Sequence, residues 1–251
     1  MQKRLKVLAL LAVTVLIVGL WSCHHDADST TGTVVLQMSS KYGDQSFALN
    51  SFNTDPQGRY LKVQNLAFYL SHIQLVKTDN SVVDLDTVAI FNFDIPATLS
   101  VTYKNIPIGE YKKIIYWNGV DSLQNLHDPG DPNLLSPLSG GYDMWWPMLL
   151  YRFETMDAKW DTQDTLLRHG LTYHIGTNAI YRSGQVDGNF SVTGGNTTNL
   201  NMVLDVKKIF YPDNNDSIDL VNEGQTQCSN ASELAIAAHF ADNFSQAFSL
   251  Q

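Results

Sequence analysis

The side chains best suited to chemistry are concentrated in the segment from residue 125 to residue 174. Two histidines, two methionines and a tryptophan stand out there: His127, Met144, Trp146, Met148 and His174. Imidazole and thioether groups are borderline and soft donors that suit copper, especially Cu(I). No cluster of carboxylates of the kind that calcium or magnesium needs lies among them. The segment therefore points to a copper site, and the alternative is that its tryptophans and methionines only fill the core.

Signatures of enzymes are missing from the chain. There is no Gly-x-Ser-x-Gly elbow, Walker loop, Gly-x-Gly-x-x-Gly fingerprint or His-Glu-x-x-His motif. Carboxylates are plentiful, but sequence alone does not place two of them together as a glycosidase needs. We therefore expect a non-catalytic protein, with a hydrolase using carboxylates of the long loop as the weaker alternative.

The charge balance argues against nucleic acid as a partner. The chain has 25 acidic against 16 basic residues, and three of the basic ones lie in the first six positions. Binding to phosphates requires clusters of Lys and Arg, which a strongly acidic body does not offer.

The N-terminus reads as a targeting segment. A basic start, Met1 to Lys6, precedes a 15-residue apolar run, Val7 to Trp21, which is short for a membrane span and right for a signal peptide. Ser22-Cys23 after this run looks like a lipobox, and an ordinary secretory signal is the alternative. We expect a signal peptide at 1–22, a lipid on Cys23, a polar tether at 23–32 and one domain at 33–251. The protein would be anchored to the outer membrane of a bacterium, in the periplasm or at the cell surface.

Period-two alternation of apolar residues dominates the rest of the chain and predicts strands. Leu66, Phe68 and Leu70 oppose Ala67 and Tyr69. The turn sequence 194–196 is typical of a hairpin, while residues 118–170 form a long mixed region that favours a functional loop. Many short strands followed by one helix predict a mostly β fold, an antiparallel β-sandwich with a long inserted loop region and a C-terminal helix.

The C-terminal helix is indicated by an apolar stripe that runs from Leu234 to Phe248. Asn230 and Glu233 before it resemble a capping box. His239 lies off the stripe, so we expect it to be solvated. With Cys23 carrying a lipid, Cys228 has no partner for a disulfide and is expected to be a buried thiol, with a soft metal ligand as the alternative.

Six short motifs in fixed order resemble the MbnP-like family, which is named for the methanobactin periplasmic-binding protein. They span roughly residues 33 to 250 and are as follows: 68–73, Gly119-Val120-Asp121 with Asn125, 135–138, Met144-Trp145-Trp146 with Tyr151, 173–176 and 241–248. The chain departs from the family pattern in having His72 where members have Asn. It also has Asn125-Leu126-His127 where they have Asn-His, and Met148 where they have a second Trp.

The resemblance implies a β-sandwich that binds one copper ion through histidines. In that family a tryptophan oxidised to kynurenine can complete the site, and the oxidation is attributed to a partner dihaem enzyme of the cytochrome-c-peroxidase type. Carried over to this chain, His174, Trp146 and Met144 match the family motifs. We therefore expect His174 and His127 as nitrogen ligands and Trp146 with Met144 or Met148 as the remainder, with Asp128 or Asp143 orienting the rings.

A second function of another class stays open. Trp145, Trp146 and Trp117 could instead form a stacking platform on a carbohydrate-binding or interaction β-sandwich without metal. Exposed, coplanar rings would favour that function, whereas rings buried beside imidazoles would favour the metal.

Overall fold

The computed structural model describes residues 29–85, 88–131, 137–139, 144–147, 150–163, 166–228 and 230–251. The predicted signal peptide, Cys23, Met148 and Asp143 lie outside these ranges. Within these ranges the chain forms fifteen strands and two α-helices: β1 Thr31–Tyr42, β2 Gln45–Ser46, β3 Asn53–Thr54, β4 Tyr60–Lys77, β5 Val82–Asp84, β6 Val88–Asn92, β7 Ser100–Pro107, β8 Gly109–Asn118, β9 Trp145–Trp146, β10 Leu150–Asp161, β11 His169–Gly176, β12 Arg182–Val192, β13 Thr197–Asp205, α1 Val206–Phe210, β14 Gln225–Thr226, α2 Ala231–Ser245 and β15 Phe248–Leu250.

Two sheets make up the fold, which confirms the predicted mostly β class. The smaller sheet has the order β15-β13-β1-β2, with β7 also on β1. The larger has the order β12-β8-β4-β10-β11-β14, with four short strands added at its margins. The longest strand, β4, pairs with β10 through its first half and with β8 through its second half. Among the described residues no helix is long and apolar enough to cross a membrane.

Strand pairing departs from the expected antiparallel pattern at two places. β1 pairs with β13 in parallel over nine residues, and β11 pairs with β14 in parallel. The prediction of a hairpin at 194–196 is also wrong. The turn carries the chain from β12 in the larger sheet to β13 in the smaller one, so the two flanking strands do not pair with each other. The sequence has a turn there, but a turn does not specify which sheet the next strand joins. β1 also begins at Thr31, inside the segment predicted as tether.

The main core lies between the sheets and the C-terminal helix. Phe68 of β4 contacts Phe244 of α2 and Phe248 of β15, with ring centroids 5.1 and 5.6 Å apart. The Asn230 side chain accepts hydrogen bonds from the backbone of Ser232 and Glu233, which confirms the predicted cap. The helix ends at Ser245, before Phe248, which belongs to β15.

The prediction that His239 is solvated is wrong. Its two ring nitrogens lie 2.9 Å from a Glu223 carboxylate oxygen and 3.1 Å from the Asp216 backbone oxygen. Burial is the largest single influence on the pKa of His239 and lowers it. The hydrogen bonds to Glu223 and Asp216 act in the opposite direction, and the net effect is a raised pKa. The ring therefore joins α2 to the loop before β14.

A second core covers the outer face of β4. Ala67 and Tyr69 point away from the main core and form an apolar cluster with residues of the long inserted region, namely Val120, Leu138, Met144, Tyr151 and Phe153. The Tyr151 hydroxyl donates to the Leu138 backbone oxygen at 2.6 Å. The inserted region is thus partly packed on the sheet, and it gives β4 two buried faces.

Gly119 marks the point where the chain leaves β8 for this region. Its φ of +103° is one that other residues rarely adopt, and a Cβ there would lie 2.3 Å from Cγ of Phe153. Its backbone N–H donates to the Tyr69 oxygen at 2.8 Å. Glycine is therefore required both by the backbone conformation and by the close approach of the ring.

We expect Gly119→Ala to lower the free energy of unfolding by about 3 kcal/mol, because backbone strain and overpacking against Phe153 add. Urea titration of both proteins measures the loss. Gly58→Ala is the matched control, since Gly58 has a φ of +79° but nothing within 4 Å of a Cβ. The control should lose only about 1 to 2 kcal/mol. Equal losses in the two variants would contradict the packing argument.

Candidate metal centre

His174 lies on the outer face of β11, where alternation turns it away from Tyr173 and Ile175 in the main core. Its Nε2 is 3.2 Å from Oδ1 of Asp157 on the neighbouring strand β10, and the imidazole is 17% exposed. Asn65 of β4 donates to the other Asp157 oxygen at 3.3 Å. The hydrogen bond from His174 is the largest cause that lowers the pKa of Asp157, against burial, which raises it. The ring is thus oriented by a carboxylate that stays ionised.

Two buried polar atoms beside this pair have no hydrogen-bond partner within the described part of the chain. They are Nδ1 of His174 and Oγ1 of Thr155. Thr155 is directly opposite His174 in the β10–β11 register and opposite Ala67 in the β10–β4 register. Side chains opposite each other on one face are about 5 Å apart at Cβ. A bound group between them would give both atoms a partner and remove the free-energy cost of burying them unpaired.

Trp146 lies beside an arginine of β10. The pairing of β9 with β10 places Trp146 opposite Leu150. The guanidinium of Arg152 lies over its indole, 5.3 Å from the ring centroid. Arg152 also helps to lower the pKa of Asp157 through its charge, although this is a smaller cause than the hydrogen bonds. Arg152 thus contacts the indole of Trp146, which packs against the main core and not on the outer face that carries His174.

Met144 is 2% exposed and belongs to the second core. Ala67 of the same cluster is two strands from His174, which corresponds to roughly 10 Å between backbones. The thioether packs in the apolar cluster, as expected if Met144 only fills the core.

His127 is exposed at the end of a short 3-10 helix, Gln124–Leu126. Within the described residues no hydrogen bond or ring contact joins it to His174. The nearby Asn125 is buried instead. Its side chain accepts from the Tyr151 backbone at 3.0 Å and donates to Asn178 at 3.1 Å. Asn125 thus fixes the inserted region to the start of β10 and to the segment after β11.

His72, which replaces the asparagine of the family pattern, has a φ of +47° at a bulge of β4. Asn is the residue most tolerant of that region after glycine, and His is enriched there as well. The ring lies 3.2 Å from Oδ2 of Asp121, whose other oxygen accepts from the backbone of Leu123 and Gln124. The substitution therefore keeps the backbone conformation and adds a contact to the inserted region.

Two residues next to the candidate site have unusual backbone conformations. Thr177, directly after β11, has a φ of +83°, and Leu150, opposite Trp146, has a φ of +62°. For a β-branched and a bulky residue such values cost of order 1 to 3 kcal/mol each and cluster at functional sites. Across the described residues no group of three or more His, Cys, Asp or Glu side chains is close enough together to hold a metal ion. Methionine and tryptophan are not among those residue types.

Sequence reasoning missed a buried acid on β10, the strand that carries Thr155 and Asp157. The acid lies on the inner face of that strand. Glu154 is completely buried, and neither of its carboxylate oxygens has a hydrogen-bond partner in the described structure. Burial raises its pKa to about 8, while the charge of Arg182 acts in the opposite direction. Cys228 is a buried free thiol, as expected, and its Sγ lies 3.6 Å from the His174 backbone oxygen. Burial, with a smaller contribution from Glu154, raises the pKa of this thiol.

The family model for MbnP matches residues 31–231. The chain belongs to the MbnP family. That match covers all the strands that carry His174, Asp157, Thr155 and Trp146, and it confirms the resemblance stated from the six motifs. MbnP from Methylosinus trichosporium has a similar solved structure, with a TM-score of 0.51 at 15% identity over 75% of this chain and 79% of that chain. This likeness supports the fold. Comparison with curated proteins gives no match.

The two tryptophans of this MbnP-family chain do not form one stacking platform. Trp145 packs against the second core, whereas Trp146 packs against the main core, as expected for successive residues of a strand. Both are half-buried. The coplanar, exposed arrangement that would favour a carbohydrate site is therefore not formed by this pair.

The raised pKa of Glu154 predicts a pH-dependent stability. A folded-state pKa of about 8 against an ordinary 4.5 means that the fold prefers the protonated acid, so its stability falls as pH rises between these two values. Glu154→Gln removes the ionisation. We expect it to match the parent protein near pH 4.5 and to exceed it by on the order of 4 kcal/mol above pH 8. Urea unfolding across this pH range measures the difference.

Glu110→Gln, on the exposed side of β8, is the control for that measurement. Its difference from the parent should stay within about 0.5 kcal/mol at every pH. A constant offset of Glu154→Gln across the range, without a slope, would contradict the burial of an ionisable acid.

Proposed function

We propose that this MbnP-family chain is a non-catalytic copper-binding protein, anchored by a lipid on Cys23 to the outer membrane, in the periplasm or at the cell surface. The observation that carries the copper proposal is the buried, unpartnered Nδ1 of His174 on a ring held by Asp157. Family membership supports it, since the match spans the strands that build this site.

The tautomer of His174 explains why the ring suits a metal. Asp157 is an ionised acceptor, so Nε2 carries the proton and donates it, which leaves the lone pair on Nδ1. A neutral imidazole with its other nitrogen bound to a carboxylate is the usual state of a metal-ligating histidine. Copper bound at Nδ1 would supply a soft electrophile to an atom for which the described residues offer no hydrogen-bond donor.

The remaining ligands are proposed from the residue types of the inserted region. Met144, Met148 and Trp146 are the soft or oxidisable groups of the inserted region, and His127 is its second imidazole. Trp146 is the residue that we propose as the substrate of a dihaem cytochrome-c-peroxidase-like partner. Arg152 over its ring would then hold the indole in place.

We expect the purified protein to bind one Cu(I) per chain in competition with a Cu(I) chelator. His174→Ala should abolish this binding, because it removes the oriented nitrogen. Asp157→Asn should weaken it by about 10- to 100-fold, the usual cost of losing a carboxylate that orients a ligand. His169→Ala is the matched control on the same strand, and it should bind like the parent protein. Retention of full affinity by His174→Ala would refute the proposed site.

Oxidation of the tryptophan is a separate prediction. Peptide mapping of the protein isolated from its native host should give a Trp146 peptide a few daltons heavier than its encoded mass. An unmodified Trp146 peptide would reject the dihaem partner while leaving the copper proposal to its own test.

A further inference from the structure

A pocket of about 510 Å³ opens at the far end of the β10–β11 ladder, on a part of the molecule that the copper proposal does not use. Five residue pairs, roughly 16 Å, separate its pair Trp160–His169 from the pair Thr155–His174. Its lining includes an indole, a guanidinium, an imidazole, two side-chain amides and a glycine: Trp160, Arg168, His169, Asn222, Gln225 and Gly170.

Arg168 provides a fixed cation at this pocket. Its Nε and Nη2 donate to the two carboxylate oxygens of Asp161 at 2.8 and 3.0 Å. Asp161 is 1% exposed at its side chain, whereas the Arg168 side chain is 57% exposed. The two-point contact orients the planar guanidinium, and Nη1 has no acceptor among the described residues. A free N–H donor on a preorganised guanidinium is suited to a carboxylate.

The aromatic wall of the pocket is fixed as well. The rings of Trp160 and His169 stack with centroids 4.5 Å apart and planes 22° from parallel, and the Arg59 guanidinium lies 4.8 Å from the Trp160 centroid. Trp160 is 7% exposed, and its buried Nε1 has no hydrogen-bond partner within the described structure. His169 is exposed and therefore presents a flat ring to the pocket.

The charge and polar groups of the pocket define the class of ligand. Gly170 contributes only backbone to the lining, and alternation along β11 turns its Cβ position to the face opposite His169. No carboxylate lines the pocket in the described structure, although the chain has a formal net charge of −9. A cation, amide groups and a flat aromatic surface together fit a planar ring that carries one negative charge.

We propose that this pocket binds a small aromatic carboxylate. The carboxylate accepts from Nη1 of Arg168, and the ring stacks on the imidazole of His169 beside Trp160. The volume is sufficient for a ligand of one or two rings. The site is independent of His174 and of copper.

Benzoate and its neutral analogue benzamide test the proposal on the purified full-length protein, with saturation-transfer NMR and calorimetry as the readouts. We expect saturable benzoate binding with a Kd below about 1 mM and at least about tenfold weaker binding of benzamide. Arg168→Gln should weaken benzoate binding about tenfold or more. His169→Ala should do the same by removing the ring on which the ligand stacks, without touching the Asp161–Arg168 pair.

Arg182→Gln is the matched control, because Arg182 also forms an ion pair with a carboxylate, Asp242, but lies outside the pocket. It should bind benzoate like the parent protein. Equal affinity for benzoate and benzamide, or unchanged affinity in His169→Ala, would overturn the proposal. If Arg168→Gln fails to fold, the His169 variant and the benzamide comparison decide the outcome. Copper titration of the same samples separates a failure here from a failure of the metal proposal.

Discussion

The burial of β4 on both faces is the constraint on which the rest of the molecule depends. Its inner side chains, such as Phe68, pack against α2 and β15, while Ala67 and Tyr69 on its outer face need a separate cover. That cover comes from the inserted region, which Asn125 and Tyr151 tie to the sheet by hydrogen bonds. Because one strand organises both cores, the region that holds Trp145, Trp146 and Met144 is placed by packing on the strand that also aligns β10.

Alternation along two strands then builds the candidate site. His174, Thr155 and Asp157 all lie on the outer face because their neighbours Tyr173, Met156 and Ala158 fill the main core. Backbone pairing sets the distance between the ring and the carboxylate, so neither has to be held by a flexible loop. Such a placement on rigid elements is what a preorganised ligand requires.

Period-two patterns were enough to predict several strands and the inner and outer residues of β4, but they missed β10, Leu150–Asp161, which lies within the region 118–170 that was expected to be a loop. The cap at Asn230 was also readable, because its hydrogen bonds are made within a few residues. Partners brought together by tertiary pairing were not readable. Asp157 is one polar position of a strand that offers several, and only the β10–β11 register shows that it is the one beside His174. The same holds for His239, whose partners come from another segment of the chain.

Other features were beyond sequence reasoning for different physical reasons. Glu154 alternates onto the inner face with Met156 and looks like an ordinary polar residue of a strand, because its complete burial arises only when other segments pack on that face. The parallel pairing of β1 with β13 depends on a crossover between sheets, which local turn chemistry does not encode. Burial of Met144 follows from the packing of the inserted region, whose fold has no periodic signal.

The position of β1 has a mechanical consequence. Hydrogen bonds join this strand to β13 along one edge and to β7 and β2 along the other, so its first residues enter the middle of a sheet. A pull on the chain ahead of Thr31 would act along the strand axis and strain many of these bonds together, instead of peeling them apart one after another. A domain pulled through this strand resists forced unfolding far better than one pulled through a strand at the edge of a sheet.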